Sequence, residues 1–162
     1  MLINYRARTV GMTLLALMLA SITDFRHNDP RWVLVGLLLI WPHLLYWIAR
    51  RAKQGSQAET VNILADSFLG GWQIAAFAFR LWPVTAMLVI GTINCLLFGG
   101  ARLLIQGLGL CAVGLLIAFL FFDIGMHLDT EPIPTAISIF GIFAYVGFIG
   151  ATAYRLDRKS VV

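Results

Sequence analysis

Charge is what this sequence has least of. Charged residues make up 12% of its 162 positions and hydrophobic residues 60%, which is about half the charge that a soluble domain carries. That scarcity excludes an ordinary water-soluble domain, and a mean hydropathy of +0.85 points to lipid as the solvent. Cysteine is almost absent. Cys95 and Cys111 lie inside apolar runs without CxxC spacing, so they read as small buried groups rather than redox or metal groups. Catalytic motifs are missing as well. There is no Walker loop, nucleophile elbow or HExxH helix, so the chain is not expected to be an enzyme, and no cofactor or metal is expected. No A-x-A-like cleavage site precedes Phe25, so the first apolar run reads as a retained span rather than a leader.

What is present is a series of six apolar runs: Thr9–Ile22, Trp32–Ala49, Val61–Phe79, Leu81–Phe98, Leu103–Phe122 and Pro134–Tyr154. A bilayer span needs roughly 17–25 apolar residues, fewer where the ends snorkel. The expectation is an all-α polytopic membrane protein of six transmembrane helices. Residues 1–8 read as a cytoplasmic tail, 9–154 as one membrane domain, and 155–162 as the start of a cytoplasmic linker. Asn28-Asp29-Pro30, Gly99-Gly100, Pro132 and Pro134 break the runs. Connections this short make successive spans antiparallel neighbours.

The basic residues follow the same alternation. With six crossings, Arg6, Arg8, Arg50, Arg51, Lys53, Arg102, Arg155, Arg158 and Lys159 fall on one side, and Arg26, Arg31 and Arg80 on the other. Lys and Arg concentrate on the cytoplasmic side, so both termini are expected there. The net charge of +4 is a topology signal and does not imply nucleic-acid binding.

Ionisable groups inside a span are costly and become functional candidates. Here they are His43 and Asp66, each about 9–10 Å in from the expected cytoplasmic end. Asn94 lies at a comparable depth. Along span three, Glu59, Asn62, Asp66, Gly70 and Gln73 recur at three- and four-residue spacing, which puts them on one helical face turned into the bundle. The reading is a polar layer of His43, Asp66, Asn94, Asn62 and Glu59, with His43 paired to Asp66. Such a layer can hold helices together or act as a signal-sensitive switch. A single intramembrane His does not supply the two axial ligands of a b-type haem. Outside, Asp24, His27 and Asp29, and then Asp123, His127, Asp129 and Glu131, could meet a divalent cation or simply be solvated.

One ordered set of residues has a familiar pattern. Trp41-Pro42-His43, Glu59-x-x-Asn62-x-x-x-Asp66 and Gly71-Trp72 are followed by Pro83-x-x-Ala86-Met87-Leu88, Asn94, Gly99-Gly100-x-Arg102-Leu103 and Gly107. With Arg8-x-x-Gly11 at its start, this set resembles the second type of membrane-associated sensor (MASE) domain, found at the N-terminus of bacterial signalling enzymes. The resemblance implies a sensory and anchoring module in the bacterial inner membrane. It also implies homodimerisation and a cytoplasmic diguanylate or, next, adenylyl cyclase domain in cis. In that family's arrangement the output domain is expected after Arg155, where the sequence stops within a few residues, either as a trimmed piece or as a free-standing relative. The rival expectations are a small transporter or channel, which needs a water path through the polar layer, and a purely structural anchor. Trp41, Trp72, Gln73 and Pro83 are candidates to line a pocket for a lipid or apolar small molecule, although aromatics there also serve packing.

Overall fold

The computed structural model describes residues 2–23, 29–52, 55–122 and 132–160. Among them there are helices and no strands, as the apolar runs require: α1 (Leu2–Ile22), α2 (Arg31–Arg51), α3 (Gly55–Ala76), α4 (Leu81–Ala118) and α5 (Pro132–Ser160). The six runs are thus carried on five helices. By length and composition two of these, α2 and α4, could cross a membrane, and the apolar stretches Arg8–Ile22 and Pro132–Gly147 are shorter. Six crossings go beyond that measure.

The fourth and fifth runs are both in α4, which folds back on itself at Gly100. That residue has φ 62° and ψ −156°, a conformation essentially confined to glycine. A side chain built on Gly107 would come within 2.9 Å of Cys95 Sγ. Twelve residues of straight helix would separate those positions by about 18 Å, so the arms 81–99 and 101–118 form a hairpin. Both ends of this hairpin meet α3. Cβ atoms added at Gly71 and Gly114 would collide with the Cys111 carbonyl and the Phe68 carbonyl. The two backbones are therefore in direct contact, the close approach that small residues permit where lipid gives no hydrophobic drive.

Helix α3 ends without glycine. Ala78 (φ 50°) and Phe79 (φ 59°) adopt the left-handed region, at a cost of about 1–2 kcal/mol each. Phe79 N–H bonds back to the Ile74 carbonyl and Arg80 N–H to that of Phe77. Ala75, Ala76, Phe77 and Ala78 are all buried, so tertiary packing offsets the local strain.

The helices form a closed circuit. α1 packs on α2 and α5, α3 on α2 and α4, and α4 on α5. The main core joins Met12, Leu19, Leu34, Leu38, Leu69, Phe77, Ala118 and Phe122, and a smaller one joins Ile63, Cys95 and Leu103. Outside this core, large apolar groups face outward, among them Val33 (76% exposed), Leu120 (81%) and Phe143 (75%). Soluble monomers rarely leave so many large apolar side chains exposed.

Two boundaries differ from expectation. α1 begins at Leu2, so Arg8 is a helical residue and not part of a tail. α3 begins at Gly55, so the connection after α2 is shorter than the expected loop through Thr60. In both cases the added turn carries a residue, Arg8 or Glu59, that makes an interhelical ion pair. Of the outer groups weighed for a cation, Asp24, His27, Asp123, His127, Asp129 and Glu131 lie outside the described residues.

The glycine contact predicts a contrast. Gly114→Ala should lower stability in reversible micellar unfolding by about 2–3 kcal/mol through overpacking. Gly109→Ala, on the same arm with nothing within 4 Å of the new atom, should be neutral or stabilising by up to about 1 kcal/mol.

Candidate functional site: a buried ion pair joining three helices

Asp66 is in the middle of α3, and both its oxygens are engaged. Arg8 of α1 donates from Nε to Oδ2 at 2.7 Å. Trp41 of α2 donates from Nε1 to Oδ1 at 2.8 Å. One carboxylate therefore links three helices. The Arg8 and Asp66 side chains are 10% and 23% exposed, so each supplies most of what water would otherwise supply to the other. Glu59 adds a second acceptor, with Oε2 at 3.9 Å from Arg8 Nη2. It precedes Asp66 by seven residues, two helical turns on the same face. The guanidinium thus reaches toward two carboxylates on one side of α3. Asn62, between them, donates to the Leu45 carbonyl of α2 at 3.5 Å. The α3 face read from the spacing of Glu59, Asn62 and Asp66 is turned inward.

His43 is not the partner of Asp66. It is exposed, and its Nδ1 meets the Tyr5 hydroxyl at 2.8 Å. The Tyr5 ring lies edge-on to His43 and 4.4 Å from that of Tyr46. The reason is angular: at about 100° per residue, Trp41 and His43 are some 200° apart on α2. Turning Trp41 to Asp66 turns His43 away. Asn94 is not part of the cluster either. It accepts from the Tyr145 hydroxyl and so joins α4 to α5.

The four expected pocket residues have separate neighbours. Trp41 serves Asp66. Trp72 stacks on Phe121 at 5.2 Å and meets Phe122 edge-on at 6.2 Å. Gln73 is buried, with Nε2 4.0 Å from Met12 Sδ. Pro83 is buried in the first turn of α4. The Trp72 indole N–H is buried without an acceptor among the described residues.

Reading the sequence missed Arg8, Tyr5 and Tyr145. A signal for Arg8 was present, because a carboxylate in the middle of an apolar helix wants a cation within side-chain reach. Arg8 also opens the residue pattern quoted above. Tyr5 carried no such signal, since aromatics near span ends are common belt residues, and Tyr145 stands in the middle of an apolar run with no polar residue of α5 beside it to mark it.

Comparison with known proteins follows the same residues. Residues 4–90, more than half of the chain, match the MASE2 domain. The chain belongs to the MASE2 family. The residues around the MASE2 ion pair (Tyr5, Arg8, Trp41, His43, Glu59, Asn62 and Asp66) all fall within the matched segment, whereas Asn94 and Tyr145 lie beyond it. The chain is also 33% identical over 155 residues to the probable diguanylate cyclase DgcC of Escherichia coli K12, and equally to that of Escherichia coli strain CFT073. Each alignment covers 94% of this chain and 42% of the relative, so the chain spans less than half the length of the curated relatives it matches. No solved structure gives a significant match.

Removing one member of a buried pair leaves the other charge uncompensated, at about 3–5 kcal/mol. Asp66→Leu should therefore destabilise the bundle by about 3 kcal/mol in micellar unfolding, and adding Arg8→Met should recover most of that loss. His43→Ala, which removes one exposed hydrogen bond, should cost about 1 kcal/mol or less.

Proposed function

We propose that this MASE2 domain is the membrane-embedded sensory, anchoring and dimerising module of a bacterial second-messenger cyclase. In this reading it crosses the inner membrane six times. α1, α2, α3, each arm of α4 and α5 serve as the crossings, and both termini are cytoplasmic. The strongest support is the single carboxylate, Asp66, that holds α1, α2 and α3 together in one layer. The output is a diguanylate cyclase by likeness to the Escherichia coli relatives, with an adenylyl cyclase next. The chain itself is non-catalytic, and the full-length protein is a nucleotide cyclase that works as a homodimer.

The coupling runs through contacts already described. A stimulus that alters the Asp66 layer shifts α3. Through the Gly71–Gly114 contact the shift reaches α4, and Asn94–Tyr145 passes it to α5, the helix that leads toward the C-terminus. A coupling free energy of about 1–3 kcal/mol is enough to change output 5- to 150-fold. Asp66, Glu59 and Asn62 form the switching layer, Asn94 is the relay to α5, and His43 ties α2 to α1 through Tyr5. Away from that layer, beside Phe121 and Phe122, the buried Trp72 N–H offers an unused donor to an apolar signal carrying an acceptor. A channel fits less well, because Asp66, Asn62 and Asn94 are occupied by helix–helix bonds and the main core above them is apolar.

Reporter fusions test the topology. Positions 52, 100 and 160 should read cytoplasmic, and positions 29 and 80 periplasmic. A chimera joining this chain to the catalytic portion of the Escherichia coli relative tests the function. At matched membrane level and dimer content, Asp66→Asn should change diguanylate product about fivefold or more. Unchanged product would reduce the domain to an anchor.

A further inference from the structure

The inner end of α2 carries a patch that no contact described above uses. Trp47 is 56% exposed, and the Arg51 guanidinium lies over its ring, 3.6 Å from the centroid. Arg50 and Arg51 are three and four residues beyond Trp47, adjacent to it on the helix surface. Tyr46 precedes Arg50 by one turn and packs against Tyr5 of α1, which Arg6 follows. Arg6, Arg50 and Arg51 are all exposed. The ion pairs among the described residues belong to Arg8 and Arg31, so none of these three guanidiniums meets a carboxylate there. Glu59, the acidic group of α3 nearest this end, is turned to Arg8.

Stacking on an indole face restrains a guanidinium and leaves its in-plane N–H donors pointing outward. That fork matches two oxygens of a phosphate. Below the cations the same side of α2 is apolar, with Ile48, Leu44 and Ile40 all exposed. An occupant must therefore be anionic at one end and hydrocarbon at the other.

We propose that Trp47, Arg50 and Arg51 form a binding site for the phosphodiester headgroup of an anionic inner-leaflet phospholipid. Arg50 and Arg51 ligate the phosphate, Trp47 is the platform that orients Arg51, and an acyl chain lies along Ile48, Leu44 and Ile40. The site rests on the reading above that places this end of α2 at the cytoplasmic face. Soluble phosphate satisfies the guanidiniums but not the apolar strip, which is why a lipid is the better occupant.

The test uses the 162-residue chain in nanodiscs of equal phosphatidylcholine and phosphatidylglycerol, released into mild detergent for native mass spectrometry of retained lipid. Wild type should retain phosphatidylglycerol over phosphatidylcholine. The preference should fall about fivefold for each of Arg50→Gln and Arg51→Gln, given the usual strength of one cation at an anionic surface. Arg51→Lys, which keeps the charge but not the planar fork, should lose part of it. Arg102→Gln, at an exposed arginine of the α4 turn, should lose none. The proposal is overturned if the wild type shows no preference, if Arg102→Gln matches Arg51→Gln, or if millimolar inorganic phosphate displaces the lipid. Failure of the chain to enter the discs would overturn the membrane reading itself, a result the reporter fusions register separately.

Discussion

A guanidinium and a carboxylate held 2.7 Å apart between helices set the terms for the rest of this bundle. In an apolar surround neither charge can be left alone, because the effective desolvation penalty of a single ion is several kcal/mol. α1 must therefore stay where Arg8 reaches Asp66, and α2 where Trp41 caps the other oxygen. This pair adds little net stability compared with a well-packed apolar substitute. Its effect is to make one arrangement of three helices much better than the alternatives, which is the best-attested use of buried polar groups.

The other half of the fold is fixed by shape. Gly71 and Gly114 bring α3 and the second arm of α4 into backbone contact, and Gly100 supplies the backbone geometry that folds α4 into a hairpin. Together the two halves divide the bundle into an inner polar layer and an apolar core beyond it. Ser138 and Gly141 seat α5 on α1, while Tyr145 reaches Asn94. α5 thus touches both the element that carries Arg8 and the element that α3 grips. Packed groups therefore run without a break from the polar layer through α3 and α4 to α5.

Much of this was legible before any coordinates. Hydropathy gave the helices, and three- and four-residue spacing gave the inward face of Glu59, Asn62 and Asp66. Gly99-Gly100 marked the reversal of chain direction, which Gly100 makes with its positive φ. What was not legible is azimuth. His43 and Asp66 share a depth, and depth was read as contact, yet α2 can present either Trp41 or His43 to α3 and not both. The sequence-level argument also drew α1 too short. It counted apolar residues from Thr9, so Arg8 fell in the tail, whereas Arg8 is helical and pairs with Asp66. Asn94 was grouped with His43 and Asp66, whereas its partner is Tyr145, because α5 was read only as an exit helix.

The central claim is that the Arg8–Asp66 pair specifies how α1 meets α3 and, through that, the state of the output. Charge reversal in the cyclase chimera tests it most directly, with membrane level and diguanylate product read together for Arg8→Asp, Asp66→Arg and both changes combined. The account predicts that each single change, which places two like charges in the layer, loses folded protein or regulated output, and that the reversed pair restores a substantial part of both. A reversed pair no better than its single changes would show that the two residues do not act on one another, and would contradict the account.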